Sequence, residues 1–221
     1  MTVFVIAMES EAEPLIANMT DVTALRAYGK NIYRGKLCGQ ETAAIVCGVG
    51  KVNAAAGTQY AIDRLGAEKI VNIGVAGGLN GGLTIGEIYG ISHAVQYDFD
   101  LVQLNGTPIG TLNEFEENYL PLQTRDIYPL KRLATGDRFN DSEDDFRLLT
   151  ETLNADIRDM EGGAVAQVCA HANVPFHSFK AISDLAGSGS TTEQFTHNLK
   201  ACAARLKGEI KNIFGAVNGH E

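Results

Sequence analysis

Tryptophan is absent from this 221-residue chain, and cysteine and proline are scarce at four and five copies. So few cysteines (Cys38, Cys47, Cys169 and Cys202) exclude a disulfide scaffold, and none has the paired spacing of a zinc site. Their apolar surroundings predict buried free thiols in a reducing compartment, hence a cytoplasmic protein. Basic residues are the minority: 18 Lys and Arg against 27 Asp and Glu, for a net charge of −9. They form no run, which argues against a nucleic-acid or anionic-membrane surface. No apolar stretch approaches the ~20 residues of a membrane span. The apolar residues 1–8 meet Glu9 too early for a signal segment and lack a basic start. His93, His171, His177, His197 and His220 make no metal-binding motif and are expected to be surface or satisfied core residues. No metal and no organic cofactor is implied.

What is present is ordinary globular composition, 45% hydrophobic and 20% charged. The length suits one domain over residues 1–221 with a sizeable core. Residues 3–8 are continuously apolar, as in a buried parallel strand. Ser10 and Glu13 have the spacing of a capping box for a helix reaching Met19, with Pro14 near the limit of its first turn. Residues 31–37 and 42–47 are spaced as a hairpin. Gly48-Val49-Gly50-Lys51 then opens a helix rich in small residues. It is not a P-loop, which would need Gly at Ile45 and Ser or Thr at Val52. Nor is it a dinucleotide fingerprint, which would need Gly at Asn53. Close helix packing and backbone approach to a polar ligand both remain open for it.

Residues 69–73 form a further buried strand, and Gly74-Val75-Ala76-Gly77-Gly78 after it allow close approach to the backbone. A strand region follows over 82–96, bent at Gly86, and then an irregular aromatic and polar segment, 97–123. Residues 130–135 are a strand, 136–140 its loop, and 142–153 a helix. The last helix, 192–214, carries Phe195, Leu199, Cys202, Leu206, Ile210 and Ile213 on one stripe. Alternating strands and helices predict an α/β fold: a single-domain, mixed, mostly parallel sheet flanked by helices.

Within that frame the stretch from Asp159 to Asp184 stands out. A short strand, 155–158, leads into Met160-Glu161-Gly162-Gly163, a helix over 164–171, and the strand 176–182, which ends at Ser183-Asp184. In open α/β sheets the residues just past strand ends line the ligand crevice, so Glu161 and Asp184 are site candidates from position alone. The bland alternatives are a first-turn helix acid for Glu161 and a strand terminator for Asp184.

Six motifs occur here in the order seen in one superfamily: Ala7-Met8-Glu9-Ser10-Glu11, Gly48-Val49-Gly50-Lys51-Val52, Asn72-Ile73-Gly74-Val75-Ala76-Gly77-Gly78, Thr135-Gly136-Asp137-Arg138-Phe139, Met160-Glu161, and Ala181-Ile182-Ser183-Asp184. Together they resemble the purine nucleoside phosphorylase/nucleosidase superfamily, and within it the 5′-methylthioadenosine/S-adenosylhomocysteine nucleosidases. The resemblance implies a nucleoside phosphorylase-like three-layer sandwich that hydrolyses the N-ribosyl bond of 5′-modified adenosines. It makes Asp184 the acid that protonates purine N7, steadied by Ser183, and Glu11 the base for the attacking water. Glu161 anchors the ribose hydroxyls with Met160 against the sugar face. Phe139 stacks on adenine beside Asn140, while Val49, Val75, Ala76 and Gly77 line the base and sugar. Lys180 holds a carboxylate or a water, and Phe195 either closes over the 5′ group or packs in the core. It also implies a homodimer in which the segment from Tyr97 to Pro108 approaches the neighbouring site.

Phosphorylases of the superfamily place Arg and Ser where this chain has Asn72 and Val75, which favours water as the acceptor and leaves Arg34 as the remaining candidate for an anion contact. Lys180, with Asp-Met-Glu-Gly nearby, resembles the plant-type enzymes. Phosphorolysis, a futalosine-type nucleosidase and a non-catalytic nucleoside-binding or storage protein are the alternatives. The last would be expected to lose one of Glu11, Glu161 or Asp184.

Overall fold

The computed structural model describes residues 1–219; His220 lies outside them. Ten strands run in chain order as β1 (Thr2–Ile6), β2 (Thr20–Ala27), β3 (Lys30–Leu37), β4 (Gln40–Val46), β5 (Lys69–Gly78), β6 (Ile88–Gln96), β7 (Leu120–Pro121), β8 (Leu130–Thr135), β9 (Ile157–Asp159) and β10 (Phe176–Leu185). The helices are α1 (Glu9–Ile16), α2 (Lys51–Leu65), α3 (Val102–Asn105), α4 (Glu143–Arg147), α5 (Gly162–Ala172) and α6 (Thr191–Asn218). The strands form one sheet in the order β10-β6-β8-β9-β5-β1-β4-β3-β2, with β7 alongside β6. Because β10 also pairs with β5, strands β5, β9, β8, β6 and β10 close on themselves into a small ring.

The expected α/β class holds, but the sheet is evenly mixed rather than mostly parallel. Five pairings are parallel and five antiparallel. Two antiparallel pairings come from the front meander, two from the short strands β7 and β9, and one from β6 on β10, whose pairing completes the ring. The layers follow from the period-2 alternation of buried strands. Val3 and Val5 of β1 face a core shared with Ala54 and Ala61 of α2 and Val165 and Cys169 of α5. Phe4 and Ile6 face the opposite core, with Leu15 of α1 and Leu206, Ile210 and Ile213 of α6.

Several expected boundaries shift. Helix α1 ends at Ile16, not Met19, and its N-cap is Met8, not Ser10; the capping carboxylate is Glu11. Strand β2 has no counterpart in the sequence reading, because seven of its eight residues are exposed and show no apolar alternation. The helix expected over 142–153 is five residues of α-helix followed by a π-helical turn, Leu148–Thr152. Strand β6 begins only at Ile88, after a turn in which Gly86 takes φ 84°. The irregular segment contains α3 and β7. Strands β5 and β10 run on through Gly78 and Leu185, so the small-residue run and Asp184 lie within strands rather than beyond them. Cys38 is exposed, not buried, because it sits in the β3–β4 turn at φ 51°. Among the described residues no helix is long and apolar enough to cross a membrane.

Among the described residues His177 of β10 is the buried histidine, but it is not fully satisfied: it is 1% exposed and its Nδ1 has no partner. Burial, helped by Arg125, holds its pKa down from 6.5 to about 4 against a backbone contact at Gln123. Between those values the unfolded chain binds a proton that the folded chain refuses, so the stability contributed by the neutral ring is present above pH 6.5 and lost as pH falls toward 4. We expect His177→Gln to flatten the loss of urea resistance over that window. Equal pH slopes in the two proteins would exclude His177 as its source.

Candidate active site

A cavity of about 500 Å³ opens at the carboxyl ends of β1, β5 and β10, where the ring meets the start of α1 and α6. Of the thirteen residues nominated from sequence, eleven line it: Glu11, Val49, Val75, Ala76, Gly77, Phe139, Met160, Glu161, Ser183, Asp184 and Phe195. Asn140 and Lys180 do not. The Asn140 carboxamide is turned to Asp145 (2.8 Å) and the Ser142 amide. Lys180 lies behind the wall, 2% exposed, paired with Asp159 at 2.9 Å.

Each acid is set by a different element. Glu11 projects from the first turn of α1; one oxygen accepts from the Val75 amide (2.8 Å) and the other from Met8 (3.1 Å). Its neighbours Glu9 and Glu13 are exposed, and Glu9 is held by Asn31 and Tyr33 of the hairpin. Burial raises the Glu11 pKa, against the opposing charge of Lys180. Glu161 follows β9 and accepts from the Gly50 amide (2.9 Å), which is presented by a glycine turn with φ 98° at Gly50. The loop-to-helix motif around Gly50 therefore brings backbone to a carboxylate side chain. Burial and then the charge of Asp159 push the Glu161 pKa upward.

Asp184 sits at the end of β10, just after a bulge at Ser183 breaks the register with β5. The bulge places consecutive side chains, Ser183 and Asp184, at the same cavity wall, an arrangement a regular strand forbids. The Ser183 hydroxyl donates to Asp184 Oδ2 (2.7 Å), while Oδ1 has no partner. Burial raises the Asp184 pKa, with Ser183 and Arg158 opposing. Three α6 side chains on one helical face clip this strand end: Gln194 exchanges hydrogen bonds with Leu185, Asn198 donates to the Ser183 carbonyl, and Cys202 to that of Ile182.

Asp159 also lines the cavity; it accepts from Thr135 Oγ1 (2.5 Å) and the Gly162 amide (2.9 Å) as well as pairing with Lys180. For Lys180, burial alone lowers the pKa, but Asp159, Glu161 and Glu11 together raise it, so it stays charged. At the mouth, Phe139 and Phe195 meet edge-to-face at 5.6 Å, the former half exposed. Phe195 is therefore at the cavity and not in the core. Sequence reasoning gave no role to Arg138, Arg158, Thr192 and Thr196, which also line the cavity. For Arg158 the available signal was its place on a short strand two residues before Met160.

Two glycines make room for the acids. A Cβ on Gly74 would come 2.6 Å from Glu11 Oε1, and one on Gly77 would come 2.8 Å from Asp184 Oδ1. Gly74→Ala is expected to leave the melting temperature nearly unchanged, since the clash is with a side-chain tip. It should lower adenine release, the activity the resemblance implies, by ~10²-fold through displacement of Glu11. Full activity in that variant would show that the Glu11 position seen here does not matter.

Comparison with known proteins agrees with the geometry. The model of the phosphorylase superfamily matches residues 2–214. The chain is 30% identical to the 5′-methylthioadenosine/S-adenosylhomocysteine nucleosidase of Colwellia psychrerythraea, over 96% of this chain and 95% of that one. It is 32% identical to the aminodeoxyfutalosine nucleosidase of Campylobacter jejuni, over 82% and 84%. The solved structure of the Colwellia enzyme with adenine superposes with a TM-score of 0.91 at 27% identity, covering 100% of this chain and 96% of that one. With the family model matched over residues 2–214 and relatives 30% or more identical over most of its length, the chain belongs to the phosphorylase superfamily.

Proposed function

We propose that the protein is an N-glycosyl hydrolase that cleaves 5′-modified adenosines, 5′-methylthioadenosine and S-adenosylhomocysteine among them, to adenine and a 5-substituted ribose. The observation that carries the reading is the convergence of the buried carboxyls of Glu11, Glu161 and Asp184 on one cavity, with Asp184 Oδ1 unpartnered. Burial raises the Asp184 pKa, the direction that favours the protonated form an acid needs. Asp184 gives that proton to purine N7 as the C1′–N9 bond breaks and its electron pair moves into the base. The Glu161 carboxylate accepts hydrogen bonds from the ribose 2′ and 3′ hydroxyls, and its charge favours the cationic sugar. Glu11 takes a proton from the water that attacks C1′. The Lys180 ammonium keeps this concentration of carboxylates tolerable without entering the cavity. Met160 packs on the sugar, and Phe139 and Phe195 cover base and 5′ group.

Water is favoured over phosphate as the acceptor by the fate of the two diagnostic positions. Asn72 is buried and spends its carboxamide on the Val5 carbonyl and Ser178. Val75 offers an aliphatic side chain, and Arg34 is exposed on the front hairpin. The relatives differ in the 5′ group their names carry, so aminodeoxyfutalosine belongs in the substrate panel. The reading further includes a cytoplasmic homodimer, supported by four free cysteines and by the exposed apolar side chains of Val52, Val102 and Leu104. Light scattering is expected to give twice the chain mass; a monomer at micromolar concentration would remove the dimer from the proposal.

The deciding experiment is adenine release from 5′-methylthioadenosine in phosphate-free buffer. We expect turnover with free methylthioribose as co-product, unaffected by added phosphate, and a loss of ~10²–10⁴-fold in Asp184→Asn with the fold intact. Release that depends on phosphate would overturn the hydrolase reading, and an undiminished Asp184→Asn would overturn the role of the acid.

A further inference from the structure

Two arginines line the cavity without a part in the steps above, and one of them, Arg138, is paired with Asp145 at 2.8 Å. Arg158, on β9, lines the cavity beside Asp184, yet its guanidinium makes no hydrogen bond or ion pair among the described residues. It pairs across the sheet with Gly77. The missing Cβ of Gly77 lets both side chains lie over that residue: such an atom would be 2.8 Å from Asp184 Oδ1 and 3.1 Å from Arg158 Nε. One spot of the wall therefore presents an unpartnered carboxyl oxygen and an unpartnered guanidinium together.

The chemistry of the leaving group gives this pairing a use. Breaking C1′–N9 leaves an electron pair on the purine, spread over its ring nitrogens. A proton from Asp184 neutralises that charge only as far as it has been transferred in the transition state. A permanently charged group with donors and no acceptor, already held in the cavity, stabilises the remainder without reorganising. We propose that Arg158 is a further catalytic residue, whose guanidinium donates to a ring nitrogen of the departing purine and carries part of its developing charge. The inference rests on the nucleosidase reading. The balance is unchanged: the Asp184 proton ends on N7, water gives hydroxyl to C1′ and its proton to Glu11, and Arg158 keeps its protons.

A second consequence separates this role from a structural one. The ionisable groups facing Asp184 are Arg158 from β9, Asp141 from the loop before α4, and Cys202 from α6. The Arg158 charge lowers the Asp184 pKa, against the larger effect of burial. Activity that needs protonated Asp184 is lost as pH rises through that pKa. Removing Arg158 should therefore move the alkaline limb to higher pH while the plateau falls, two changes in opposite directions.

The test is adenine release from 5′-methylthioadenosine by the intact protein, as kcat and KM across pH, for wild type, R158M and R158K. R158M should lose at least about tenfold in plateau kcat, as expected for a donor aimed at developing charge. Its KM should change by less than about threefold, as expected for an interaction made in the transition state. Its alkaline limb should rise, and R158K should recover most of the rate. An unchanged plateau, a limb that does not move, or an R158K as slow as R158M would each overturn the proposal. R158Q is read the same way if R158M melts early. Absence of adenine release by wild type would instead defeat the nucleosidase reading itself.

Discussion

One buried ammonium holds this site together. Lys180 and Asp159 form an ion pair whose side chains are 2% and 1% exposed. Two further buried carboxylates, Glu11 and Glu161, lie within its field. Burying like charges in a medium of low dielectric is costly, and a buried cation relieves the cost only when its geometry and hydrogen bonds are good. Here Asp159 also accepts from Thr135 and the start of α5, so its carboxylate is fully engaged.

Everything around that pair serves to bring acids from distant parts of the chain to one wall. Strand β5 contributes small residues, so that Glu11 from α1 and Asp184 from β10 can rest against its backbone. The bulge at Ser183 turns the strand end, and the amides of α6 hold it there. Glu161 is fixed from the other side by the first residues of α2, through Gly50. The backbone amides of Met8, Gly50 and Val75 thus position two carboxylates, and a hydroxyl positions the third. This division suits the proposed roles, since an acceptor is best oriented by donors and an acid by one hydroxyl that leaves its second oxygen without a partner.

Much of this was legible from local pattern. Continuous apolar strands, the long stripe of the last helix and the six motifs gave the fold class and most of the cavity wall, including Glu161 and Asp184 at strand ends. Strand β2 was not legible, because an exposed edge strand lacks the alternation that burial imposes. Closure of β5, β9, β8, β6 and β10 into a ring was hidden as well, since pairing between β10 and β5 joins residues about a hundred positions apart.

The sequence by itself determined the class of fold and the kinds of residue at the site. Only the tertiary structure decided which of Glu9, Glu11 and Glu13 loses its water, because desolvation belongs to the assembled surroundings and not to the residue. It alone decided that Lys180 faces Asp159 instead of the cavity and that Arg158 stands beside Asp184. Those relations are set by register between strands, and nothing in the local spacing of the chain specifies them.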